Sequence, residues 1–147
     1  MKVIREYGPN NIKNSSLCFG TMQFGDGASE RDSQEMYEAC RENGINFFDT
    51  AYVYTGGKSE IILGDLIKNE REKIILITKA GSVGGSSGKN IRSQLEESLK
   101  RLKQDYVDIF FLHHWDDNIP LEETFDTLQE LKEEKKFYQL GVSNFSS

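Results

Sequence analysis

The stretch INFFDTAYVYTGGKSEIILGDLIKNEREKIILIT, residues 45–78, contains three segments of different character. INFFDT is strand-like and precedes a turn. The middle segment predicts a helix with Ser59 as its N-cap and with one apolar face formed by Ile62, Leu63, Leu66 and Ile67. KIILIT is a continuous apolar run, which is typical of a strand covered on both faces. A strand, a helix and a buried strand in this order predict a parallel βαβ unit.

The chain before this unit predicts a hairpin and a helix. VIREY and IKNSSLCFG are strand-like and flank the turn residues GPNN, so residues 3–20 are expected to form a hairpin. Residues 29–43 are expected to form a helix that stops at Asn43-Gly44, because apolar residues recur there at helical spacing, namely Met36, Ala39 and Cys40.

The chain after the unit repeats the same alternation. A glycine- and serine-rich loop leads to a helix, the strand YVDIFFL, a helix opened by Pro120 and the strand FYQLGV. The apolar stripes of these two helices are Ile91, Leu95, Leu99 and Leu102 in the first, and Leu121, Phe125, Leu128 and Leu131 in the second. Five strands alternating with four helices predict a parallel sheet of the α/β class in one domain, residues 1–147.

The composition is that of a folded protein and excludes several classes of function. Of the 147 residues, 37% are hydrophobic and 29% are charged, which suits one domain with a core. The net charge is −6 and Lys and Arg are scattered, so we expect no surface for nucleic acid or an anionic membrane. MKVIREYGPNN lacks the apolar core of a signal peptide, and no apolar run approaches the about 20 residues that span a bilayer. We therefore expect a cytoplasmic protein in which Cys18 and Cys40 are buried thiols.

Polar side chains lie just beyond the ends of the predicted strands. In parallel α/β sheets the loops after the strands share one face, where catalytic residues gather. These polar residues are Asp49 and Tyr54 after the second strand, Lys79 after the third, His113 after the fourth, and Ser143 and Asn144 after the fifth. Alone, Tyr54 is explained as a half-buried aromatic, Lys79 as an exposed lysine and Asp49 as a turn or cap residue. Their common placement predicts a shared site.

The chemistry of these side chains favours carbonyl reduction. A tyrosine hydroxyl has an ordinary pKa of about 10, and a neighbouring ammonium favours its phenolate form. Lys79 is expected to supply that ammonium beside Tyr54, and Asp49 to hold the lysine by a salt bridge. His113 is expected to hydrogen-bond a substrate oxygen. Tyr54 would then protonate the oxygen as hydride adds to the carbonyl carbon, and its phenolate would act as a base in the reverse reaction.

The glycine-rich loop GSVGGSSGKN, residues 81–90, does not match the common phosphate-binding motifs. Val83 stands where both a Walker loop and a GxGxxG motif require glycine, and Asn90 stands where a Walker loop requires Ser or Thr. A mobile loop is expected here, with anion binding at the following helix N-terminus as the alternative.

The pair His113 and His114, close to Asp116 and Asp117, does not predict a metal site. Neighbouring residues on a strand face opposite ways, and the chain has only two histidines. One histidine is therefore expected to face the rim of the sheet and the other to lie to the side.

In five segments the chain resembles the aldo-keto reductase family: LCFGTMQFG (17–25), GINFFDTAYVYTGGKSEIILGDLIK (44–68), ILITKAG (75–81), DYVDIFFLHHWDDNIPLEETFDTLQELK (105–132) and LGVSNF (140–145). The resemblance runs through essentially the whole chain and is closer to the bacterial-type branch of the family than to the mammalian one. It implies a (β/α)8 TIM barrel with an N-terminal hairpin closing its floor. It also implies NADPH as the cofactor and aldehydes or ketones as substrates.

The resemblance assigns the family's catalytic tetrad to Asp49, Tyr54, Lys79 and His113. Tyr54 takes the role of proton donor. His113 is chosen over its neighbour because the family histidine stands five residues after a strand aspartate, which is Asp108 here.

The resemblance also implies residues that contact the cofactor. Ser143 and Asn144 match the family's SN pair that holds the nicotinamide carboxamide, and Thr21 and Met22 are expected to line the cofactor together with Asp49. Barrels of this type have eight strands in about 250 residues, whereas this chain supplies five. The chain is therefore expected to form the N-terminal five-strand part of such a barrel.

A five-stranded part of a barrel leaves two edge strands and an interior face to be covered. Three explanations are open: part of a larger reductase, a natural truncation, or assembly with copies of itself or with a complementing chain. The leading functional hypothesis is an NADPH-dependent carbonyl reductase. The alternative is a non-catalytic truncated barrel that acts as an oligomerising or binding module. Potassium-channel β subunits show that the resemblance also extends to regulatory binding, although no segment here resembles a channel-docking segment.

Overall fold

The computed structural model describes residues 6–145, which begin with a short antiparallel hairpin. Its strands are β1 (Glu6–Tyr7) and β2 (Ile12–Lys13). The hairpin prediction is confirmed for these residues, while its first residues, 3–5, lie outside the described part. The prediction that IKNSSLCFG forms one strand is wrong. The Asn46 side chain accepts from the Ser15 amide at 2.8 Å and donates to the Lys13 carbonyl at 2.9 Å, and these bonds take the place of strand pairing.

A five-stranded parallel sheet forms the centre of the molecule. Its strands are β3 (Phe19–Gly20), β4 (Phe47–Asp49), β5 (Ile75–Ala80), β6 (Val107–Leu112) and β7 (Phe137–Val142). They pair in chain order from β3 to β7, each parallel to the next. All six residues of β5 are buried, as its continuous apolar sequence predicts. The predicted α/β class and parallel pairing are confirmed.

Four helices connect the strands at the predicted places. They are α1 (Glu30–Glu42), α2 (Lys58–Ile67), α3 (Gly88–Leu102) and α4 (Leu121–Glu133). Ser29 caps α1 in a capping box with Asp32, and Ser87 caps α3. Within residues 6–145, no helix has the length and apolar character needed to cross a bilayer.

The sheet has a large core on the helix side and a smaller one on the opposite face. The buried stripe of α3 is the predicted one, Ile91, Leu95, Leu99 and Leu102, and it joins the core of the helix side. On the opposite face Ile75, Ile77 and Ile109 pack with Tyr7 and Ile12 of the hairpin. The hairpin therefore covers this face, as expected for the floor of a barrel.

Two predicted apolar stripes differ from the structure. On α1, Met36 and Ala39 are exposed, and Ser33, Tyr37 and Cys40 are buried. The stripe is rotated because the Tyr37 ring packs against Phe48 with ring centres 5.0 Å apart. On α4, Leu128 and Leu131 are buried as predicted, whereas Leu121 and Phe125 are exposed.

Two predictions for single residues are also wrong. Ser59 does not cap α2, because the helix begins at Lys58 and its N-cap is Gly57, two residues before Ser59. Its hydroxyl is buried and bonds to Thr21 and Thr50 instead. Cys18 is exposed, because it lies before the short strand β3 rather than inside a long strand, whereas Cys40 is buried as expected.

Candidate active site

Lys79 lies at the centre of the polar side chains at the ends of the strands. Its Nζ is 2.6 Å from the carboxylate of Asp49, which ends β4. The same nitrogen donates to the backbone carbonyl of Thr50 at 2.9 Å and to the Tyr54 hydroxyl at 3.2 Å. An ammonium has three donors, so all of them are used. The structure therefore brings Asp49, Tyr54 and Lys79 together.

Tyr54 is placed by a tight loop between β4 and α2. It begins a 3-10 turn, Tyr54–Gly57, in which three successive residues have positive φ angles of 50°, 65° and 93° at Thr55, Gly56 and Gly57. Left-handed backbone is strained for threonine, and the Thr55 hydroxyl offsets this by donating to the Phe24 carbonyl at 2.8 Å and accepting from the Ser59 amide at 2.9 Å. The turn reverses the chain just after the tyrosine.

His113 follows β6 and faces Tyr54. The two rings meet edge to face, with centres 6.1 Å apart. Burial lowers the pKa of His113, and the charges of Lys79 and His114 act in the same direction. The imidazole is therefore favoured in its neutral form, which has one donor and one acceptor nitrogen. Its Nδ1 is buried without a hydrogen-bond partner among residues 6–145.

The two histidines do not turn to opposite sides. Their rings are stacked, with centres 5.0 Å apart. The alternation of side chains along a strand does not apply to this pair, because β6 ends at Leu112. His113 faces the Tyr54 ring at the rim, and His114 is the more exposed of the two.

Burial also governs the charge of Asp49. It raises the pKa of the Asp49 carboxyl, and the hydrogen bond and charge of Lys79 oppose this rise. The side chain of Lys79 is itself only 11% exposed. Because both side chains are poorly hydrated, the Lys79 ammonium and the Asp49 carboxylate each stabilise the charged form of the other.

Ser143 and Asn144 lie beside His113 at the end of β7. The Ser143 amide donates to the Leu112 carbonyl at 2.9 Å. The Asn144 side-chain nitrogen donates to the His113 carbonyl at 2.9 Å and to the Ser143 hydroxyl oxygen at 3.0 Å. These bonds hold both side chains at the same rim as the histidine.

The two residues expected near the cofactor after β3 have different surroundings. Thr21 is fully buried, and its hydroxyl donates to the Asp49 carbonyl at 3.0 Å. Met22 is 53% exposed. In this structure Thr21 joins the ends of β3 and β4, and Met22 has the more accessible side chain of the two.

Several buried polar residues around the site were not predicted from the sequence. Glu60 is completely buried and accepts from the Thr78 hydroxyl at 2.7 Å. Arg101 of α3 pairs with it at 3.2 Å. The sequence signal that could have found this pair is Glu60 itself, which lies among apolar residues of the predicted helix. A carboxylate that is buried in a core is usually paired with a cation.

No group of three His, Cys, Asp or Glu side chains in the described part of the chain is arranged to hold a metal ion.

Asp116 accepts from the Ser86 amide at 2.9 Å and from the Asn118 amide at 3.0 Å. These bonds lower its pKa and tie the loop after β6 to the glycine-rich loop.

The fold and the site together define part of a (β/α)8 barrel whose strand ends carry an Asp, Tyr, Lys and His cluster. The sequence model of the Aldo/keto reductase family matches residues 16–147, and the chain belongs to this family. The family and barrel type inferred from the sequence motifs are confirmed.

Individual relatives support this assignment. Aflatoxin B1 aldehyde reductase member 2 of Rattus norvegicus is 41% identical over 133 residues, which cover 87% of this chain and 36% of that protein. A probable voltage-gated potassium channel subunit beta of Arabidopsis thaliana is 33% identical, with 97% of this chain and 47% of that protein covered. The structure of aldo-keto reductase AKR11C1 from Bacillus halodurans in its holo form has a TM-score of 0.83 and 33% identity, covering 96% of this chain and 50% of that chain. The chain thus spans between about a third and half of the length of these relatives.

Proposed function

We propose that this chain provides the catalytic rim of an NADPH-dependent reductase that converts aldehydes or ketones to alcohols. The observation that carries the proposal is the position of the Lys79 ammonium, 2.6 Å from the Asp49 carboxylate and 3.2 Å from the Tyr54 hydroxyl. A cation in contact with a phenol oxygen stabilises the negative charge that develops there as the proton leaves. This is what a tyrosine proton donor requires near neutral pH.

In the proposed mechanism NADPH, when bound, supplies the hydride. Tyr54 donates its proton to the carbonyl oxygen of the substrate, and Lys79 stabilises the phenolate that is left. Asp49 holds Lys79 in place. His113 in its neutral form has one N–H with which to donate a hydrogen bond to the same substrate oxygen and so orient it.

The residues at the end of β7 fit a nicotinamide carboxamide. Both hydrogens of the Asn144 amide are directed at protein atoms, the His113 carbonyl and the Ser143 hydroxyl oxygen. This leaves the Ser143 hydroxyl hydrogen as a donor and the Asn144 carbonyl oxygen as an acceptor. A carboxamide needs one of each. We therefore assign its binding to Ser143 and Asn144, with Met22 and the buried Thr21 forming the border of the cofactor site at β3.

The test combines cofactor binding with the Tyr54→Phe variant. We expect saturable NADPH binding by calorimetry, weaker NADH binding, and NADPH oxidation in the presence of a panel of aldehydes and ketones. Tyr54→Phe should lower kcat by at least about 100-fold, the usual contribution of a general acid, because phenylalanine has no proton to donate. The Kd for NADPH should stay within about twofold, as expected when only a transition-state interaction is removed.

A matched control is Tyr138→Phe, because Tyr138 packs edge to face on Tyr106 and is not part of the rim cluster. It should leave kcat and the Kd for NADPH unchanged. Full turnover by Tyr54→Phe would refute the proton-donor role, and a folded chain that binds neither NADPH nor NADH would refute the reductase proposal for this chain.

The alternative, a non-catalytic truncated barrel that acts as an oligomerising or binding module, is favoured by one observation. Leu121 and Phe125 of α4 and Val142 at the end of the edge strand β7 are exposed. Exposed apolar groups next to an edge strand are typical of surfaces that contact another segment or chain. Self-association or partner binding without turnover of any carbonyl compound would support this alternative.

A further inference from the structure

We propose that Arg101 and Glu60 are positioning residues that hold the loop carrying Tyr54 against the strand carrying Lys79. Neither residue belongs to the tetrad, and Arg101 lies near the end of α3. The catalytic consequence of this inference rests on the proposed reductase function, whereas its structural consequence does not.

Arg101 makes two kinds of contact with Tyr52, which lies in the loop that carries Tyr54. Its Nη1 donates to the Tyr52 carbonyl at 2.9 Å. Its guanidinium carbon lies 4.5 Å from the centre of the Tyr52 ring. A hydrogen bond and a cation–π contact made by one planar group fix both the backbone and the side chain of Tyr52.

Glu60 connects this arginine to the sheet. Its carboxylate is completely buried and lies 3.2 Å from Arg101 Nη1, and its other oxygen accepts from the Thr78 hydroxyl at 2.7 Å. Thr78 directly precedes Lys79 on β5. One buried carboxylate therefore joins the strand of the lysine to the arginine that holds the loop.

Gly57 gives independent evidence that the loop packs directly on the guanidinium. A Cβ added at Gly57 would lie 2.6 Å from the guanidinium carbon of Arg101, closer than any real contact. Gly57 also has a φ of 93°, which side chains rarely adopt. A side chain at this position would force the guanidinium to move away from the loop backbone.

The link from Tyr52 to Tyr54 is short. The Tyr52 amide donates to the Lys79 carbonyl at 2.9 Å, and the Tyr54 amide donates to the Ala51 carbonyl at 3.1 Å. A shift of Tyr52 would therefore also move the Tyr54 hydroxyl relative to the Lys79 ammonium. Small displacements of this kind reduce turnover because proton transfer depends on the distance between donor and acceptor.

The variants are chosen to avoid an unpaired buried charge. Arg101→Met alone leaves Glu60 buried without its cation, which can unfold the chain. The double variant Glu60→Gln/Arg101→Met removes both charges and keeps an acceptor for Thr78. Arg101→Lys keeps the positive charge but loses the planar fork. Arg92→Met is the control, because Arg92 is also on α3 and pairs with Glu130 and Glu134 away from the rim.

Amide hydrogen exchange tests the structural part of the proposal. In the double variant the amides of residues 52–57 should exchange at least about 10-fold faster than in the wild type, since local opening sets the exchange rate. The amides of β5 and β6 should be unchanged. In Arg101→Lys the exchange rate of residues 52–57 should lie between those of the wild type and the double variant. In Arg92→Met it should equal that of the wild type. Exchange in the double variant equal to that of Arg92→Met would overturn the inference.

Kinetics tests the catalytic part. The double variant should lose about 10- to 100-fold in kcat, the cost of misplacing a reacting group, while the Kd for NADPH stays within about twofold. A parallel loss of NADPH affinity, or an unchanged kcat, would overturn the positioning role. A wild-type chain with no carbonyl reductase activity would refute the proposed function, and hydrogen exchange would still decide whether Arg101 and Glu60 hold the loop.

Discussion

The contacts of Lys79 determine where the Tyr54 proton can go. Lys79 donates to the Tyr54 oxygen at 3.2 Å, so the tyrosine hydroxyl is an acceptor on that side. Its own hydrogen must then point away from the ammonium, because an O–H cannot direct its hydrogen at a donor. The remaining directions include the side of Tyr54 that faces the His113 ring. In the proposed reaction the substrate oxygen would lie on this side.

Glu70 is a single residue whose ionisation should affect the stability of the fold. It accepts from the Tyr37 hydroxyl at 2.6 Å and from the Arg41 guanidinium at 2.8 and 3.0 Å, which joins α1 to the segment after α2. Hydrogen bonds from Arg41 lower the pKa of Glu70. We expect Glu70→Gln to reduce the free energy of unfolding at pH 7 by about 1 kcal/mol, because the Arg41 guanidinium loses its carboxylate acceptor and keeps only a neutral amide oxygen.

The pH dependence of this effect has a definite sign. A carboxyl with a lowered pKa in the folded state stabilises the protein above its unfolded pKa of about 4.3, and this contribution is lost as the pH falls through the folded pKa. The unfolding free energies of the wild type and Glu70→Gln, measured by urea unfolding, should therefore converge as the pH falls from about 4.3 through the lower pKa of folded Glu70. Glu35→Gln, which removes an exposed pair with Arg31 on α1, is the control and should have no measurable effect. A difference that persists at low pH would contradict the charge-based explanation.

The contact between α2 and α3 depends on the absence of a side chain at Gly64. A Cβ there would overlap the backbone carbonyl of Leu102. On helix propensity alone, Gly64→Ala should stabilise the protein by about 1 kcal/mol. We expect the opposite, a loss of about 1 to 3 kcal/mol in unfolding free energy, because overpacking against rigid backbone outweighs propensity.

The matched control is Gly20→Ala in β3, where an added Cβ has no neighbour within 4 Å. Urea unfolding of both variants measures the difference. Gly20→Ala should leave the midpoint nearly unchanged. A stabilised Gly64→Ala would show that the two helices can move apart at little cost.

Most elements of the fold were predictable because each depends on a local pattern. The apolar runs predicted β5 and β6, and helical spacing predicted the buried stripe of α3. The role of Ser59 was not predictable, because its hydroxyl bonds to Thr21 and Thr50, and Thr21 is far away in the sequence. The buried face of α1 was likewise set by distant partners of Tyr37.

The site was predictable to a similar degree. The rule that side chains after parallel strands gather at one rim grouped Asp49, Lys79 and His113 as candidates, and the structure brings Asp49 and Lys79 into contact. Their catalytic roles stay predictions. The interaction of Arg101 with Glu60 was not found, because these two residues lie on different helices, 41 positions apart in the sequence, and no sequence motif marks the pair.

At the scale of the whole molecule, the sheet has two edges in the described part of the chain. β3 and β7 each pair with a strand on one side only. The apolar side chains of Leu121 and Phe125 on α4, the helix that leads into β7, and of Val142 on β7 are 39 to 48% exposed. Unpaired backbone groups and apolar side chains at one edge favour contact with another strand or chain.

We therefore expect the 147-residue chain to self-associate through the β7 edge. Sedimentation velocity of the wild type should show a mass above that of the monomer, and this mass should increase with protein concentration. The double variant Phe125→Glu/Val142→Lys should have a mass closer to that of the monomer, because its new charges would have to be desolvated on association. Met36→Glu is the control, since Met36 is 40% exposed, like Phe125, but lies on α1 away from β7. An equal effect of Met36→Glu would indicate nonspecific hydrophobic association, and a monomeric wild type at all concentrations would show that exposure of this edge is tolerated.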